Sequence, residues 1–373
     1  MDKRYSKHSV IDPVDCTGCG LCAHICPSKC ISMKEGKLGH LFPSVDSKKC
    51  IHCNLCVKKC PSKSPIRLGY PLAAYAAWVQ DEDDYLTSTS GGAASALSHD
   101  IISRGGVVYG CTMGESSVVK HIRVEDSERL NTLKGSKYVQ SDIKGIFSIL
   151  RDDVNEGRPT LFIGSPCQVA AVKSMYPDTP TNLYLVDIVC HGVPSLGVFQ
   201  NYLKNKFGRA HFDSISFRRG SELILEIEDR GDVIYRANHR DDLYYTLFMQ
   251  GFTYRDSCHQ CKYAQPNRIS DITIGDFWGL GRYGKCNIPE HKHGISVILP
   301  ISEKGMSLID RVRDKLNIYE RPIEEAIQGN SQLKSPAMAG KRIKLFQWLE
   351  PLLGIERAYK FVHADVTLKS FLK

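Results

Sequence analysis

The 373-residue chain lacks any apolar run of the roughly eighteen residues that a transmembrane helix needs, so we predict no membrane span. Its opening residues, MDKRYSKHSVIDPVDC, are polar and contain no apolar segment of the kind found in secretory signals. The net charge of +8 is spread along the chain, whereas a nucleic-acid-binding protein collects its basic residues on one surface. We therefore expect a cytoplasmic protein that binds no nucleic acid and whose charge suits acidic partners.

Cysteine, by contrast, is abundant, with fifteen residues in the chain. In a reducing compartment disulfides are rare, and closely spaced cysteines more often bind metal. A hydrophobic content of 42% and a charged content of 24% are typical of a globular protein with two or three domains. The composition therefore predicts metal sites within an ordinary folded chain.

Two cysteine runs, CTGCGLCAHICP at residues 16–27 and CIHCNLCVKKCP at residues 50–61, follow the pattern C-x2-C-x2-C-x3-C-P. In this pattern three thiolates bind one [4Fe-4S] cube and the fourth binds the cube of the other run. Zinc is the alternative, but a zinc site has no use for the third cysteine of each run. The runs predict a two-cluster ferredoxin-type domain over residues 1–68. Its ligands would be Cys16, Cys19, Cys22 and Cys60 for cluster one, and Cys50, Cys53, Cys56 and Cys26 for cluster two.

A turn rich in serine and glycine, with Ser88, Ser90, Gly91 and Gly92, precedes a helical pattern and a strand-like VVYGCT. Free backbone N–H groups at the start of a helix suit a phosphate group or the edge of a flavin ring. The alternative is a plain loop that caps a helix, and the pattern does not separate the two. Further on, LKGSKY at residues 133–138 precedes a helix predicted to start near Ser141.

Four cysteines of the C-terminal half are predicted to meet. An apolar strand at residues 161–163 leads to Cys167 at a helix start, and a second strand ends at Cys190. Strand, helix and strand predict a parallel unit, whose strand ends share the sheet edge where ligands bind. Cys258 and Cys261 add a C-x2-C pair. The four thiols suffice for a third metal site; their spacing leaves iron–sulfur and zinc open, and the two cubes favour iron–sulfur.

Two other segments have a recognisable pattern. Residues 213–250 alternate apolar and polar side chains around turns and predict antiparallel hairpins, where Arg218 and Arg219 either bind an anion or are simply solvated. The tail from residue 336 mixes apolar residues with lysines. It either lies on an anionic membrane or packs as a helix on its own domain.

Five motifs occur in a specific order: SGG at residues 90–92, GSKYVQS at 135–141, GSPCQ at 164–168, CHGVPS at 190–195, and CHQCKYA with RISDITIGDFWG within 258–279. With them, residues from about 70 to about 330 resemble the coenzyme F420 hydrogenase/dehydrogenase beta-subunit family, behind a ferredoxin module. The fold class implied is α+β or α/β, with a small ferredoxin-like iron–sulfur domain followed by a mixed α/β flavin-binding domain and an antiparallel hairpin insertion. The expected domains are residues 1–68, 69–155 (N-terminal-like), 156–335 (C-terminal-like) and a helical tail at 336–373.

This resemblance implies an iron–sulfur flavoprotein oxidoreductase with two [4Fe-4S] clusters, a third [4Fe-4S] cluster on Cys167, Cys190, Cys258 and Cys261, and FAD. Lys137 would stabilise a reduced, anionic flavin or a substrate phosphate, if it is not merely a surface lysine. His191 would donate a hydrogen bond beside a cluster ligand or carry a proton, if it is not purely structural. The residues implied in flavin binding are Ser88, Ser90, Gly91, Gly92, Gly135, Ser136, Lys137 and Tyr138.

Two functions are compatible with these features. The first is an enzyme that exchanges electrons with a ferredoxin or another redox protein and acts on an organic substrate or a deazaflavin such as coenzyme F420. The second is an electron-transfer subunit of a larger hydrogenase or dehydrogenase complex. The sequence favours the first, because clusters and flavin domain are joined in one chain. A sensor without catalysis is a third, weaker reading, and no motif identifies the substrate.

Overall fold

The computed structural model describes residues 10–64, 66–114, 117–283, 286–291 and 293–371, with the backbone alone for residues 365–371. Its N-terminal part consists of α1 (Leu21–Ile25), β1 (Ile31–Glu35), β2 (Leu41–Val45) and α2 (Leu55–Lys58), with β1 and β2 paired antiparallel. Gly20 and Asn54, which precede the two helices, are both left-handed, with φ of 77° and 57°. Glycine and asparagine tolerate this conformation best. Each cysteine run can therefore turn into its helix at the same point of the motif.

The remaining described strands form two sheets. Three of them, β8 (Ser214–Ser216), β9 (Ile224–Asp229) and β10 (Asp232–Asn238), make a separate antiparallel sheet with β9 in the middle, and the other eight make one large mixed sheet. In chain order the strands are β3 (Ala74–Val79), β4 (Val107–Met113), β5 (Val119–Val124), β6 (Thr160–Gly164), β7 (Leu183–Ile188), β8 (Ser214–Ser216), β9 (Ile224–Asp229), β10 (Asp232–Asn238), β11 (Ile272–Asp276), β12 (Ser296–Pro300) and β13 (Leu316–Arg321).

The large sheet has the strand order β13–β3–β12–β11–β7–β6–β4–β5. Its four central strands β11, β7, β6 and β4 run parallel to one another, and the outer strands pair antiparallel. Parallel strands covered on both faces are apolar along their whole length, as in the buried LYLVD of β7. The carboxyl ends of the four central strands therefore share one edge of the sheet.

Helices cover both faces of this sheet. They are α3 (Glu82–Thr87), α4 (Ala93–Ser103), α5 (Phe147–Asn155), α6 (Pro166–Lys173), α7 (Leu196–Phe207), α8 (Leu243–Met249), α9 (Glu303–Val312), α10 (Ile323–Gly329), α11 (Lys341–Leu353) and α12 (Ile355–Phe371). One apolar core includes buried residues of α4 and α9 together with the sheet, and a second includes residues of α5 and α6. A third core is largely aromatic and joins α7, α8, the three-stranded sheet and the tail helices.

The structure confirms the predicted fold class, including the parallel unit β6–α6–β7 and the hairpin insertion. Two local predictions are wrong. The helix expected near Ser141 begins at Phe147, after a 3-10 turn at Lys144–Ile146. Residues 243–249, expected in a hairpin, form α8, whose first turn is capped by Asp242 and whose aromatic side chains pack into the third core. Burial of Tyr244, Tyr245 and Phe248 thus outweighs the local strand-like pattern.

In the described part of the chain, no helix is both long enough and apolar enough to cross a membrane. The tail helices α11 and α12 pack on the aromatic core through Phe346 and Leu349 of α11 and Ala358 of α12. The opposite face of α11 leaves Trp348 and Leu352 66% and 72% exposed. The tail therefore packs on its own domain and also presents an apolar surface.

Candidate functional site in a cysteine-lined cavity

The structure brings the four cysteines predicted for cluster one together. Burial raises the pKa of Cys16, Cys19 and Cys22, and the nearby thiol of Cys60 raises all three further. The pKa of Cys19 reaches about 12. That these four side chains bind iron stays a prediction.

The cysteines predicted for cluster two form a second group. Burial raises the pKa of Cys56, with further contributions from the thiols of Cys26 and Cys53. Cys50 belongs to the same apolar cluster of side chains as Cys26 and Cys56. Cys30, which lies outside the sequence motif, has its sulfur 3.4 Å from that of Cys26. The cysteine motif of the sequence therefore predicts the members of this group but not Cys30, the additional thiol beside them.

Among the described residues, no three His, Cys, Asp or Glu side chains converge on a point where one metal ion could bind. In a [4Fe-4S] cube each thiolate binds a different iron. The ligands of a cube therefore need not converge in this way.

A cavity of about 700 Å³ lies over the shared carboxyl edge of the central strands. This is the edge at which open α/β sheets bind their ligands, and the volume is within the usual range of a ligand pocket. Each of the four parallel strands supplies part of the wall at or just beyond its end: Gly110 and Cys111 from β4, Gly164 and Ser165 at β6, Ile188 and Val189 at β7, and Gly275 and Asp276 from β11.

The four cysteines predicted for a third metal site all line this cavity: Cys167, Cys190, Cys258 and Cys261. Burial, with smaller contributions from neighbouring thiols, raises the pKa of Cys167 to about 11 and that of Cys258 to about 12. Burial also raises the pKa of Cys190 well above its usual value, and the thiols of Cys258 and Cys167 add to the shift. Thiols whose pKa values are raised in this way are costly to deprotonate unless a metal binds the thiolates. The donor set therefore fits a metal cluster.

The third group of cysteines adjoins the first. The thiol of Cys167 contributes to the raised pKa of Cys19, a ligand predicted for cluster one. Tyr263 has its pKa raised by burial and then by Cys167, Cys261, Cys19 and Cys60, so thiols of both groups act on its hydroxyl. The two predicted cluster sites are thus neighbours within the folded chain.

Most of the residues predicted to bind flavin also line the cavity. Ser90 and Gly92 do so at the start of α4, and Gly135, Ser136, Lys137 and Tyr138 do so on the facing loop. Ala93, Ala94 and Ser95 of the first turn of α4 belong to the same wall. No side chain in the described structure caps this turn, so its backbone N–H groups are available to an anionic ligand.

Ser88 and Gly91 of the same turn do not line the cavity. The Ser88 hydroxyl donates to the carbonyl of Asp84 at 2.8 Å, and the Gly91 carbonyl accepts from Val79 N–H. A Cβ on Gly91 would lie 2.0 Å from the Ala77 carbonyl oxygen of β3. These two residues therefore hold the turn against the sheet.

Lys137 is half-buried in the cavity wall, and its Nζ donates to the carbonyls of Leu133 and Lys134 at 2.9 and 2.5 Å. Burial lowers the pKa of Lys137 to about 8, and Cys111 partly offsets the effect. The nearby His121 also has its pKa lowered by burial, to about 4, and stays neutral. Lys137 is thus protonated at neutral pH but loses its proton at a lower pH than an ordinary lysine.

His191 lines the cavity, where burial lowers its pKa and Asp276 raises it. Asp276 accepts a hydrogen bond of 2.6 Å from Arg218, which also lines the cavity. Arg219 instead pairs with Glu226 and Glu228 on the three-stranded sheet and is half exposed. Of the two arginines noted in the sequence, only Arg218 therefore faces the site.

Two family models match the chain. Residues 10–64 match the 4Fe-4S dicluster domain, and residues 157–326 match the C terminus of the beta subunit of coenzyme F420 hydrogenase/dehydrogenase. The chain thus combines a region similar to a 4Fe-4S dicluster domain with a region similar to the C terminus of that beta subunit.

Among solved structures, the chain is similar to a chain of the F420-reducing [NiFe] hydrogenase complex from Methanosarcina barkeri. The identity is 18% and the TM-score 0.48, and the match covers 82% of this chain and 96% of that chain. No curated protein matches the chain. The domain boundaries at residues 68, 155 and 335 stay predictions.

Sequence reasoning missed Arg255, whose guanidinium is buried between the first and third cysteine groups. It donates to the carbonyl of Cys16 at 3.2 Å and to the carbonyl of Leu41 at 3.0 Å. Gln140, also unanticipated, accepts from Arg255 at 3.2 Å and donates to the Thr17 carbonyl at 2.9 Å. These contacts join residues more than a hundred positions apart in sequence, and no local motif predicts them.

Proposed function

We propose that this chain passes electrons between its [4Fe-4S] clusters and a flavin bound in the cavity, as the electron-transfer subunit of a larger oxidoreductase assembly. The observation that carries the proposal is the single cavity itself. It is lined both by the four cysteines of the third group and by glycine- and serine-rich segments, residues 89–90 with 92–95 and residues 135–141. A site for one-electron carriers and a site for an organic cofactor thus share one wall.

The third group of cysteines is proposed to hold a [4Fe-4S] cluster. Its four thiols, Cys167, Cys190, Cys258 and Cys261, match the number of ligands that a cube requires. Zinc would use the same four thiols. We favour iron because the group adjoins the predicted ligands of cluster one through Cys19 and Tyr263. An iron–sulfur cluster at this position could exchange an electron with cluster one, whereas zinc could not.

FAD is the proposed cofactor of the cavity. When bound, FAD exchanges two electrons with an organic molecule and single electrons with iron–sulfur clusters. Ser90, Gly92 and the uncapped first turn of α4 would hold a phosphate or a polar ring edge by backbone N–H donation. Lys137 would place a positive charge beside the negative charge that a flavin acquires on reduction.

The remaining wall of the cavity is proposed to receive the organic partner. Ile188, Met249 and Trp278 present apolar surface there and are each more than a third exposed. His191 and the Arg218–Asp276 pair supply polar groups beside that surface. An organic substrate, a deazaflavin or a redox-protein cofactor would meet an apolar entrance with a few polar side chains, as ligand sites commonly offer.

A self-sufficient enzyme is the second candidate. It is favoured by the presence of a 4Fe-4S dicluster domain and a flavin-sized cavity in the same chain. The match to a beta-subunit family favours the subunit role. Steady turnover by the isolated chain with reduced ferredoxin and an organic acceptor would support the enzyme. Co-purification with a larger redox subunit, and turnover only in that complex, would support the subunit.

The content of iron, acid-labile sulfide and flavin tests the proposal directly, on protein prepared without oxygen. We expect about twelve irons per chain, because each of three cubes holds four, and one FAD. The double variant C258S/C261S should lose about four irons and keep the two N-terminal clusters. The matched control is Cys286→Ser, an exposed cysteine outside the three groups, which should change neither number. A wild-type content of about eight irons without flavin would refute the proposed cavity chemistry.

We also propose that the exposed face of α11 gives the chain a peripheral contact with an anionic membrane. Lys341, Leu345, Trp348 and Leu352 recur at helical spacing and are all exposed. Residues 341–364 contain five lysines and arginines against two glutamates. A basic helix with exposed leucine and tryptophan is the kind of surface that lies in a lipid interface.

A further inference from the structure

Arg255 is one of the largest fully buried side chains of the described structure, with 1% of its surface exposed. Its guanidinium donates to the carbonyls of Cys16 and Leu41 and to the side-chain oxygen of Gln140, and it lies 4.7 Å from the centre of the Phe42 ring. The group also lines the cavity. A full positive charge is thus held at the boundary between the ferredoxin-type domain and the cavity.

No carboxylate in the described part of the chain pairs with Arg255. The two other deeply buried arginines are both paired, Arg218 with Asp276 at 2.6 Å and Arg268 with Asp187 at 3.0 Å. A buried charge without an anionic partner is costly, so proteins rarely keep one that is uncompensated. The neutral oxygens around Arg255 accept from its two terminal nitrogens, whereas its buried Nε has no hydrogen-bond partner among the described residues, and none of these contacts balances its charge.

The anion-forming groups whose charges act on Arg255 are cysteines. Burial lowers the pKa of Arg255, and the fields of Cys16, Cys258, Cys167 and Cys19 act against that effect, in that order. Cys16 and Cys19 are predicted ligands of cluster one, whereas Cys167 and Cys258 belong to the third group. The anions that would balance this guanidinium are therefore thiolate-bound clusters on both sides of it.

We propose that Arg255 is the charge partner of both clusters and that it raises their reduction potentials. Reduction adds one electron to a cluster and makes it more negative, and a nearby positive charge in a site of low dielectric stabilises that state. The charge of Arg255 acts on electron transfer through the two clusters, so Arg255 is a positioning residue rather than a catalytic one. Its effect on the third cluster rests on the function proposed above, whereas its effect on cluster one requires only the dicluster domain.

Gly18 supports this position of the arginine side chain. A Cβ at Gly18 would lie 2.3 Å from an Arg255 guanidinium nitrogen, and Gly18 has a φ of +69°. The turn between Cys16 and Cys19 therefore leaves space for the guanidinium at the edge of cluster one. The arginine and the cysteine run fit each other only with glycine at this position.

The test compares Arg255→Gln, which keeps a hydrogen-bonding side chain but removes the charge, with Arg255→Lys, which keeps the charge but removes the planar fork. The clusters are titrated with dithionite and followed by electron paramagnetic resonance in the full-length protein. We expect R255Q to lower the potential of cluster one and of the third cluster, while R255K stays closer to the wild type. Cluster two is the internal control, because its cysteines are absent from the groups that act on Arg255.

The potentials and the iron content together decide the role of Arg255. Unchanged potentials in R255Q with a full iron content would overturn the proposal, as would an equal shift in all three clusters. If R255Q folds by circular dichroism but binds fewer irons while R255K binds them all, the charge is needed for the clusters and the proposal stands. Loss of iron in both variants would assign Arg255 a purely structural role. If the wild type holds only two clusters, the proposed function fails, and the comparison of clusters one and two still tests Arg255.

Discussion

At the scale of single residues, the environment of a side chain decides what it can contribute to the site. Lys137 and Arg255 are both cations in the cavity wall, yet burial lowers the pKa of Lys137 to about 8. The guanidinium of Arg255 stays charged throughout the physiological range, because its ordinary pKa is far above that of lysine. The first can therefore gain or lose charge near neutral pH, whereas the second is a fixed charge.

We expect FAD to bind most tightly below about pH 8 and to bind more weakly as the pH rises through the pKa of Lys137. The neighbouring His121, with a pKa of about 4, is already neutral, and burial raises the pKa of Cys111. Neither should produce the same transition. K137M should bind FAD about tenfold more weakly and lose the pH dependence, whereas K137R should retain tight binding at higher pH. Fluorescence titration with FAD between pH 6.5 and 9.5 measures both effects.

The same shift makes a prediction for the free protein. Because the pKa of Lys137 is lower when folded than when unfolded, the charged lysine costs stability. That cost is fully present below about pH 8 and disappears as the pH rises towards the ordinary value of 10.5. Denaturant unfolding of K137M should therefore show less gain in stability between pH 8 and 10 than the wild type. An identical pH dependence of stability in the two proteins would show that Lys137 is hydrated in the folded state and that its pKa is not lowered there.

At the scale of elements, the turn before α4 depends on close contact between backbones. In a Gly91→Ala variant the added Cβ would meet the Ala77 carbonyl oxygen at 2.0 Å and the Ser296 nitrogen at 2.7 Å. Neither backbone can move without disturbing β3 and β12, so we expect a loss of about 2 kcal/mol or more in the free energy of unfolding. FAD affinity should fall as well, because Ser90 and Gly92 line the cavity on either side.

The matched control is Gly145→Ala, since its added Cβ would meet no described atom within 4 Å beyond its chain neighbours and its own helical turn. Its stability should change by no more than about 0.5 kcal/mol. Chemical denaturation of both variants provides the comparison. Equal stability of the two would contradict the packing assigned to Gly91.

The sequence predicts elements well where the signal is local. The two cysteine runs and the strand–helix–strand unit that places Cys167 are each encoded within a short stretch. The meeting of Cys167 and Cys190 at one sheet edge follows from parallel topology. The start of α5 at Phe147 and the formation of α8 depend on tertiary packing, which local periodicity does not contain. Arg255 is beyond such reasoning, because its partner Cys16 lies 239 residues away.

At the scale of the whole molecule, one short segment links the ferredoxin-type domain to the cavity. Residues 255–261 carry Cys258 and Cys261 and also bind the ferredoxin-type domain: Ser257 donates to the Cys16 carbonyl at 3.0 Å and Gln260 to the Val14 carbonyl at 3.1 Å. Lys37 pairs with Asp256 at 2.8 Å across the same boundary. The segment that would hold half of the proposed third cluster therefore also binds the cysteine run predicted to hold cluster one.

The tail helices present an exposed aromatic side chain, Trp348, beside the exposed Leu352. We expect the chain to bind vesicles that contain anionic lipid and to bind neutral phosphatidylcholine vesicles much more weakly, because attraction of basic residues adds to apolar burial. The double variant W348S/L352S should lose most of this binding. Both side chains point away from the core, so folding and iron content should be unchanged.

Vesicle co-sedimentation at low and high salt measures this contact, with Ile234→Ser as the matched control. Ile234 is 45% exposed on β10, away from the tail helices, and its replacement should not alter binding. Retained binding in W348S/L352S would refute the membrane contact. Absence of binding to any vesicle, with recovery of the wild type but not the double variant in a complex with a larger redox protein, would instead assign this face of α11 to assembly with that protein.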